Sequence, residues 1–152
     1  MELDLKDKKI LSELEMNARI SYSSLAKKLK TSKQVIKYRI EKLERENLIQ
    51  GYNALIDLTK LGETIYVIYV KLVRISSVKE QEWIKQIEKS ANILAIGKNT
   101  GKWDLTIVIR AKNNQELDIT LKKIFLGKQD KIKEKLITSE IESTYFKTKL
   151  IY

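Results

Sequence analysis

Lys33, Gln34, Lys37 and Tyr38 lie close together in the chain and carry side chains suited to reading the edges of base pairs. A glutamine bonds adenine twice, a lysine donates to guanine, and a tyrosine reaches a phosphate or a thymine methyl group. If 33–46 is a helix, Ile36, Ile40 and Leu43 form its apolar stripe. At about 100° per residue, Gln34, Tyr38 and Arg45 then fall on the opposite side, with Lys33 and Lys37 flanking them. For phosphates the candidates are Lys27, Lys28, Arg39 and Lys42, with the free amides at helix starts capped by Ser21 and Ser32. Arg39 has a competing use in an ion pair, with neighbours near Glu41 or with Glu13. A lysine-rich helix taken alone is most often a solvated face, so the elements around it decide the matter.

Those elements fit the reading. Asp4 is a good N-cap with Asp7 three positions on, and Leu5, Lys8, Ile10, Leu11 and Leu14 follow at helical spacing. Asn17-Ala18-Arg19 ends that helix. Ser21 caps a second helix, 22–29, whose inward residues are Tyr22, Leu25, Ala26 and Leu29; Lys30-Thr31 makes a tight turn into the third. Two short helices joined by a few residues, each with a serine cap, and Ala26 small enough for their close approach make a helix-turn-helix pattern. Residues 48–52 and 53–56 read as two short strands, the wing of a winged helix-turn-helix occupying 1–56, and 57–63 reads as a linker containing Gly62.

From Thr64 the periodicity changes. Residues 64–74 are β-branched and aromatic, as in a strand. An amphipathic helix follows over 78–89, with Val78, Trp83, Ile84 and Ile87 inward. Strands are expected over 93–97 and 105–111, and a second helix over 117–125 with Leu117, Leu121, Ile124 and Phe125 inward. A last strand is expected over 137–145, with the tail to Tyr152 extending it. The order β-α-β-β-α-β is the ferredoxin-like arrangement, which makes 64–152 an α+β domain.

Composition bounds the rest. The 152 residues include no cysteine and no histidine, which removes disulfides, thiol nucleophiles, imidazole acid–base chemistry and the usual zinc ligands. No catalytic residue, metal site or cofactor is therefore expected, and the chain reads as a non-enzyme. Net charge is +10 and favours a polyanionic partner, a duplex over a membrane, because the basic helices have no wide apolar face left for lipid. Residues 21–45 hold eight basic side chains against Glu41 and Glu44, so the charge is focused on the proposed reading element. No apolar run is long enough to cross a bilayer and the first segment is too charged for a secretory signal, so a soluble, cytoplasmic protein is expected.

The strings Asp4-Leu5-Lys6-Asp7, Asn17-Ala18-Arg19-Ile20-Ser21, Leu25-Ala26, Arg39-Ile40, Leu43-Glu44, Gly51-Tyr52 and Leu61-Gly62 resemble the start of the Lrp/AsnC transcription regulators. The second half resembles their amino-acid-sensing domain, marked by Thr100-Gly101-Lys102-Trp103-Asp104 where the family has Gly-x-Tyr-Asp. The resemblance implies homodimers formed through the C-terminal sheets, often assembled into tetramers or octamers, and an amino-acid effector. By position Gly97, Thr100, Gly101, Trp103 and Asp104 would line the effector site, Asp104 accepting from an α-ammonium group and the loop amides facing a carboxylate. The chain departs from the family at Asn47, where a glycine is usual, at Trp103, which replaces tyrosine, and over 128–135, a lysine-rich stretch in place of a short turn. The expected role is a sequence-specific regulator on pseudo-palindromic double-stranded DNA. The rival role is an architectural, chromatin-type protein that binds duplex without sequence choice, since from Glu63 onward 17 basic residues face 11 acidic ones.

Overall fold

The computed structural model describes residues 2–73 and 75–140. The chain forms two compact units, which divide between Leu55 and Ile56.

The first unit is a three-helix cluster. α1 (Leu5–Met16) begins at Asp4, whose carboxylate accepts from the Asp7 amide at 2.8 Å; the side chains of Ser21 and Ser32 cap α2 (Tyr22–Lys28) and α3 (Lys33–Arg45) in the same way. Each cap satisfies an amide that the helix leaves without a partner, and is worth about 1 kcal/mol. Ile10, Leu14, Leu25, Ala26, Ile36, Ile40 and Leu43 meet in one core, with Tyr22, Leu29 and Ile49 packed on its edge. Burying each of the larger aliphatic chains contributes about 1.5–3 kcal/mol. The α2–α3 turn brings Lys30 into the left-handed region at φ 50°, and the chain leaves α3 through Asn47 at φ 54°. Asparagine is among the few residues that tolerate this conformation, which explains its place where a glycine is usual.

The expected wing hairpin is not formed: among the described residues, 48–57 contains no strand. The two expected runs, 48–52 and 53–56, abut, and leave no residues of their own for the two-residue turn that a hairpin needs. The segment is tethered instead through Tyr52, whose hydroxyl donates to Glu44 on α3 at 2.8 Å. Burial first, and then the Glu44 carboxylate, push that phenol up to about 12.

The second unit is a four-stranded antiparallel sheet, β1 (Thr64–Leu72), β2 (Ile93–Lys98), β3 (Leu105–Ala111) and β4 (Ile132–Ser139), in spatial order β2-β3-β1-β4. α4 (Ser77–Ile87) follows β1, and α5 (Asn114–Phe125) follows β3. Alternation along the strands builds the core: Ile68 and Val70 of β1 and Leu105, Ile107 and Ile109 of β3 are fully buried against Trp83, Ile87, Ile124 and Phe125. Trp83 is a core residue, as a tryptophan with its N–H satisfied should be. Its indole donates to the Ile124 carbonyl at 2.8 Å and its ring lies 6.0 Å from that of Phe125.

Three expectations change here. Val78, read as inward, is exposed in the first turn of α4, whose buried residues, Trp83 and Ile87, lie in its later turns. α5 begins at Asn114, not 117, because Asn113 is its cap and accepts from the Glu116 amide at 2.9 Å. β4 begins at Ile132, five residues before the expected start. Its charged residues Lys133, Glu134 and Lys135 mask the alternation, yet suit an edge strand. The remainder of the expected strand, from 141, and the tail to Tyr152 lie outside the described residues.

Candidate nucleic-acid interface

The core stripe of α3 determines what the helix can offer. With Ile36, Ile40 and Leu43 buried, Lys33, Gln34, Lys37 and Tyr38 are all exposed, and Tyr38 retains 61% of its surface. These four base-reading candidates thus share the outward side of one helix. Ser21 and Ser32 are occupied as caps, accepting from the amides of Ser24 at 3.1 Å and Val35 at 3.2 Å. Other first-turn amides of α3 have no acceptor within the helix, and the helix dipole adds partial positive charge at the same end.

The phosphate candidates separate. Lys27 is exposed and has no ion-pair partner among the described residues. Lys28 donates to Glu13 at 2.6 Å yet stays half exposed, and Lys42 stands 4.0 Å from Glu46, one turn further along its helix. Such surface pairs are worth only tenths of a kcal/mol and exchange readily for a phosphate. Arg39 is a correction. Its Nη1 donates to Asp4 Oδ2 at 2.6 Å and Asp7 Oδ1 at 2.7 Å, and its side chain is only 23% exposed. It clamps α3 to the start of α1 instead of presenting its charge at the surface. Asp4 and Asp7 had been read only as helix-start residues. Their spacing puts both carboxylates in one turn, and that was the available signal for a cation partner. Asp4 is held below its ordinary value, chiefly by the Asp7 amide and next by Arg39, while Arg39 is raised by the two carboxylates.

Lys30 and Glu41, which the sequence marks only as a turn residue and a neighbouring charge, also stand at this surface. Lys30 stands exposed in the turn between α2 and α3, where its left-handed backbone carries the chain from one helix to the other. Glu41 lies one turn beyond Lys37, 3.7 Å from its ammonium, on the outward side of α3.

In the second unit, Gly97, Thr100, Gly101, Trp103 and Asp104 fall on or beside the β2–β3 connection. Gly101 adopts φ 110°, a conformation glycine tolerates. Trp103 packs against Tyr69 at 6.1 Å between centroids, and Lys102 lies 4.7 Å over its ring. Asp104 is already engaged. Its Oδ2 accepts from the Leu72 amide at 2.7 Å and its Oδ1 from Lys71 at 3.0 Å. The amide lies where the β1–β4 register shifts between Lys71 and Leu72, so the carboxylate serves a donor at an irregular point of the ladder. The Leu72 amide, and after it Lys71, hold Asp104 below the usual carboxylate range. Among the described residues no cluster of metal-ligating side chains is present, and no helix is long and apolar enough to cross a membrane.

A family model of winged helix-turn-helix DNA-binding domains matches residues 3–50, the three-helix unit with its exposed α3. An HTH-type transcriptional regulator of Pyrococcus furiosus is 37% identical over 123 residues, covering 80% of this chain and 79% of its own. AsnC of E. coli shares the fold with a TM-score of 0.76 at 23% identity, over 97% of this chain and 98% of its own. A transcriptional regulator of Neisseria meningitidis in complex with L-Met gives a TM-score of 0.81 at 18% identity, over 99% and 97%. Capped helices, an outward cationic α3 and these likenesses define a DNA-binding transcription regulator, a role without enzymatic chemistry. Within that class the chain belongs to the Lrp/AsnC family.

Proposed function

We propose that this regulator recognises particular operators, pseudo-palindromic and bound by a dimer or higher oligomer, and that an amino acid or related small metabolite modulates it. The observation that carries the reading is the outward side of α3, where Lys33, Gln34, Lys37 and Tyr38 are exposed together while the Arg39 clamp and the Ile36–Ile40–Leu43 stripe hold the helix in place. Glutamine and lysine side chains at the N-terminal part of such a helix match adenine and guanine edges in a major groove. Lys27, Lys28 and Lys42 supply the charge for flanking phosphates.

Self-association is supported by the face of the sheet that does not carry the core. Val67 and Tyr69 of β1 stand opposite Val108 and Thr106 of β3 and Thr138 and Leu136 of β4, and Leu136 is 45% exposed. An apolar face of this kind suits a second copy, and two-fold pairing would place two recognition helices on half-sites about one helical turn apart, ~34 Å. For the effector, the loop holding Gly97, Thr100, Gly101 and Trp103 is the proposed lining. Asp104 anchors that loop, in place of the ammonium-acceptor role inferred from family position. The Neisseria regulator with L-Met supports an amino acid as the ligand class.

The deciding experiment is a competition titration of the full chain, at one stated salt concentration, between duplexes selected from a random pool and scrambled duplexes. A preference of about 10³ or more supports operator recognition. A preference of only a few-fold favours the architectural role, for which the surplus of basic residues beyond Glu63 argues. Calorimetry against the twenty amino acids tests the effector. Absence of heat from all of them would leave the second unit a role in assembly alone.

A further inference from the structure

We propose that Glu41 is a specificity-determining residue of the DNA-reading helix, accepting from the exocyclic amine of a cytosine while Lys37 is released to a guanine. The proposal rests on base reading by α3. In the free protein the Glu41 and Lys37 side chains stand 3.7 Å apart and are 45% and 60% exposed, so neither is committed to the core. Glu41 lies three residues beyond Tyr38 and seven beyond Gln34, which places it on the same helical stripe as the base-reading candidates. Other carboxylates near α3 are in use elsewhere: Asp4 and Asp7 hold Arg39, Glu13 holds Lys28, and Glu44 accepts from Tyr52.

A carboxylate in that position faces a polyanion, and every non-specific encounter with phosphates works against it. An ionised carboxylate can only accept hydrogen bonds, so in the major groove its partners are the amines of cytosine and adenine; guanine and thymine present acceptor oxygens and repel it. Glu41 therefore weakens binding to most sequences and is relieved by a few, which is discrimination by an unfavourable contact with the wrong partner. Lysine, freed in the same step, donates to a guanine. The plainer role, an i,i+4 pair that steadies the helix, is poorly served here. The lysine precedes the glutamate, the weaker orientation along a helix, and the separation is long for a charge-assisted bond.

The test uses the full chain and its Glu41→Ala and Glu41→Gln variants, with a duplex selected from a random pool by the wild-type chain and a scrambled duplex of equal length. Helix content and Tm of the variants are measured alongside. The expected result is about 3- to 10-fold tighter binding of both variants to scrambled duplex and a preference for the selected duplex reduced at least 10-fold. Replacing each C·G pair of the site in turn by T·A should reveal one position whose loss weakens the wild type and leaves the variants indifferent. A wild type that prefers its selected duplex, with variants that keep both the preference and the base requirements, overturns the role of Glu41 and leaves the operator reading standing. A wild type with no preference overturns both.

Discussion

The guanidinium of Arg39, on the recognition helix, donates to the buried carboxylate of Asp7 on α1 at 2.7 Å, and the same nitrogen reaches Asp4, the residue that caps α1. One cation thus links the start of the first helix to the middle of the third. Its removal would leave Asp7, 6% exposed, as a largely buried carboxylate without its counter-ion. Arg39→Ala should destabilise the chain by about 1–3 kcal/mol, below the cost of losing a fully buried partner because the pair retains some solvent. Denaturant melts with Asp7→Asn and the double variant measure the coupling. An unchanged midpoint accompanied by a flatter salt dependence of DNA binding would return Arg39 to the phosphate-contacting set.

Asp104 makes a second prediction, in pH. Its carboxyl is depressed, first by the Leu72 amide and then by Lys71, so the folded state favours the charged form. A depressed group contributes stability that is present above its unfolded value, about 3.9, and is lost as pH falls through the lower folded value. The second unit should therefore lose stability below about pH 4. Asp104→Asn should lower Tm at pH 7 and flatten the decline of Tm on acidification. The same acid slope in wild type and variant would show that the Leu72 and Lys71 contacts carry no weight in solution.

How much of this was legible in the chain depended on whether the signal was local. Caps were legible because a cap is a contact within one turn: Asp4, Ser21 and Ser32 all act as their spacing indicated. The core stripe of α3 was legible for the same reason, since burial there repeats with the period of the helix. The partner of Arg39 was not, because its acids lie 32 and 35 residues away and nothing local distinguishes a guanidinium aimed at phosphate from one aimed at α1. The engagement of Asp104 was hidden likewise, since its donor is an amide released by a register shift 32 residues earlier. The missing hairpin over 48–56 reflects a different limit. Residues 48–52 and 53–56 have strand-like composition, but a strand needs a partner, and among the described residues neither run finds one.

Lys30 carries the α2–α3 turn at φ 50°, where a β-carbon crowds the backbone. Relief of that crowding competes with the extra freedom glycine gains in the unfolded chain. The net for Lys30→Gly should be a gain of about 0.5–1 kcal/mol, seen as a rise of a few degrees in Tm, with Lys30→Ala giving none. A loss of stability in the glycine variant would mean that the lysine side chain stabilises the turn by more than its backbone strain costs.

Lys27 and Gln34 separate the two kinds of contact expected of the interface. Lys27, exposed and without an acidic partner among the described residues, offers only charge; Gln34, on the outward side of α3, offers a paired donor and acceptor. Neutralising a phosphate contact releases one fewer counter-ion on binding, so Lys27→Gln should weaken selected and scrambled duplexes alike and reduce the slope of log affinity against log salt by about 0.9. Gln34→Ala should leave that slope unchanged, cost about 1–3 kcal/mol on the selected duplex and almost nothing on the scrambled one. Titrations at four or five salt concentrations on both duplexes give all of these quantities at once. Equal losses on the two duplexes for Gln34→Ala would remove it from the base-reading set. A slope that Lys27→Gln does not change would place the phosphate path along another side of the unit, and Lys30 and Lys33, exposed at the turn into α3, would be the next to replace.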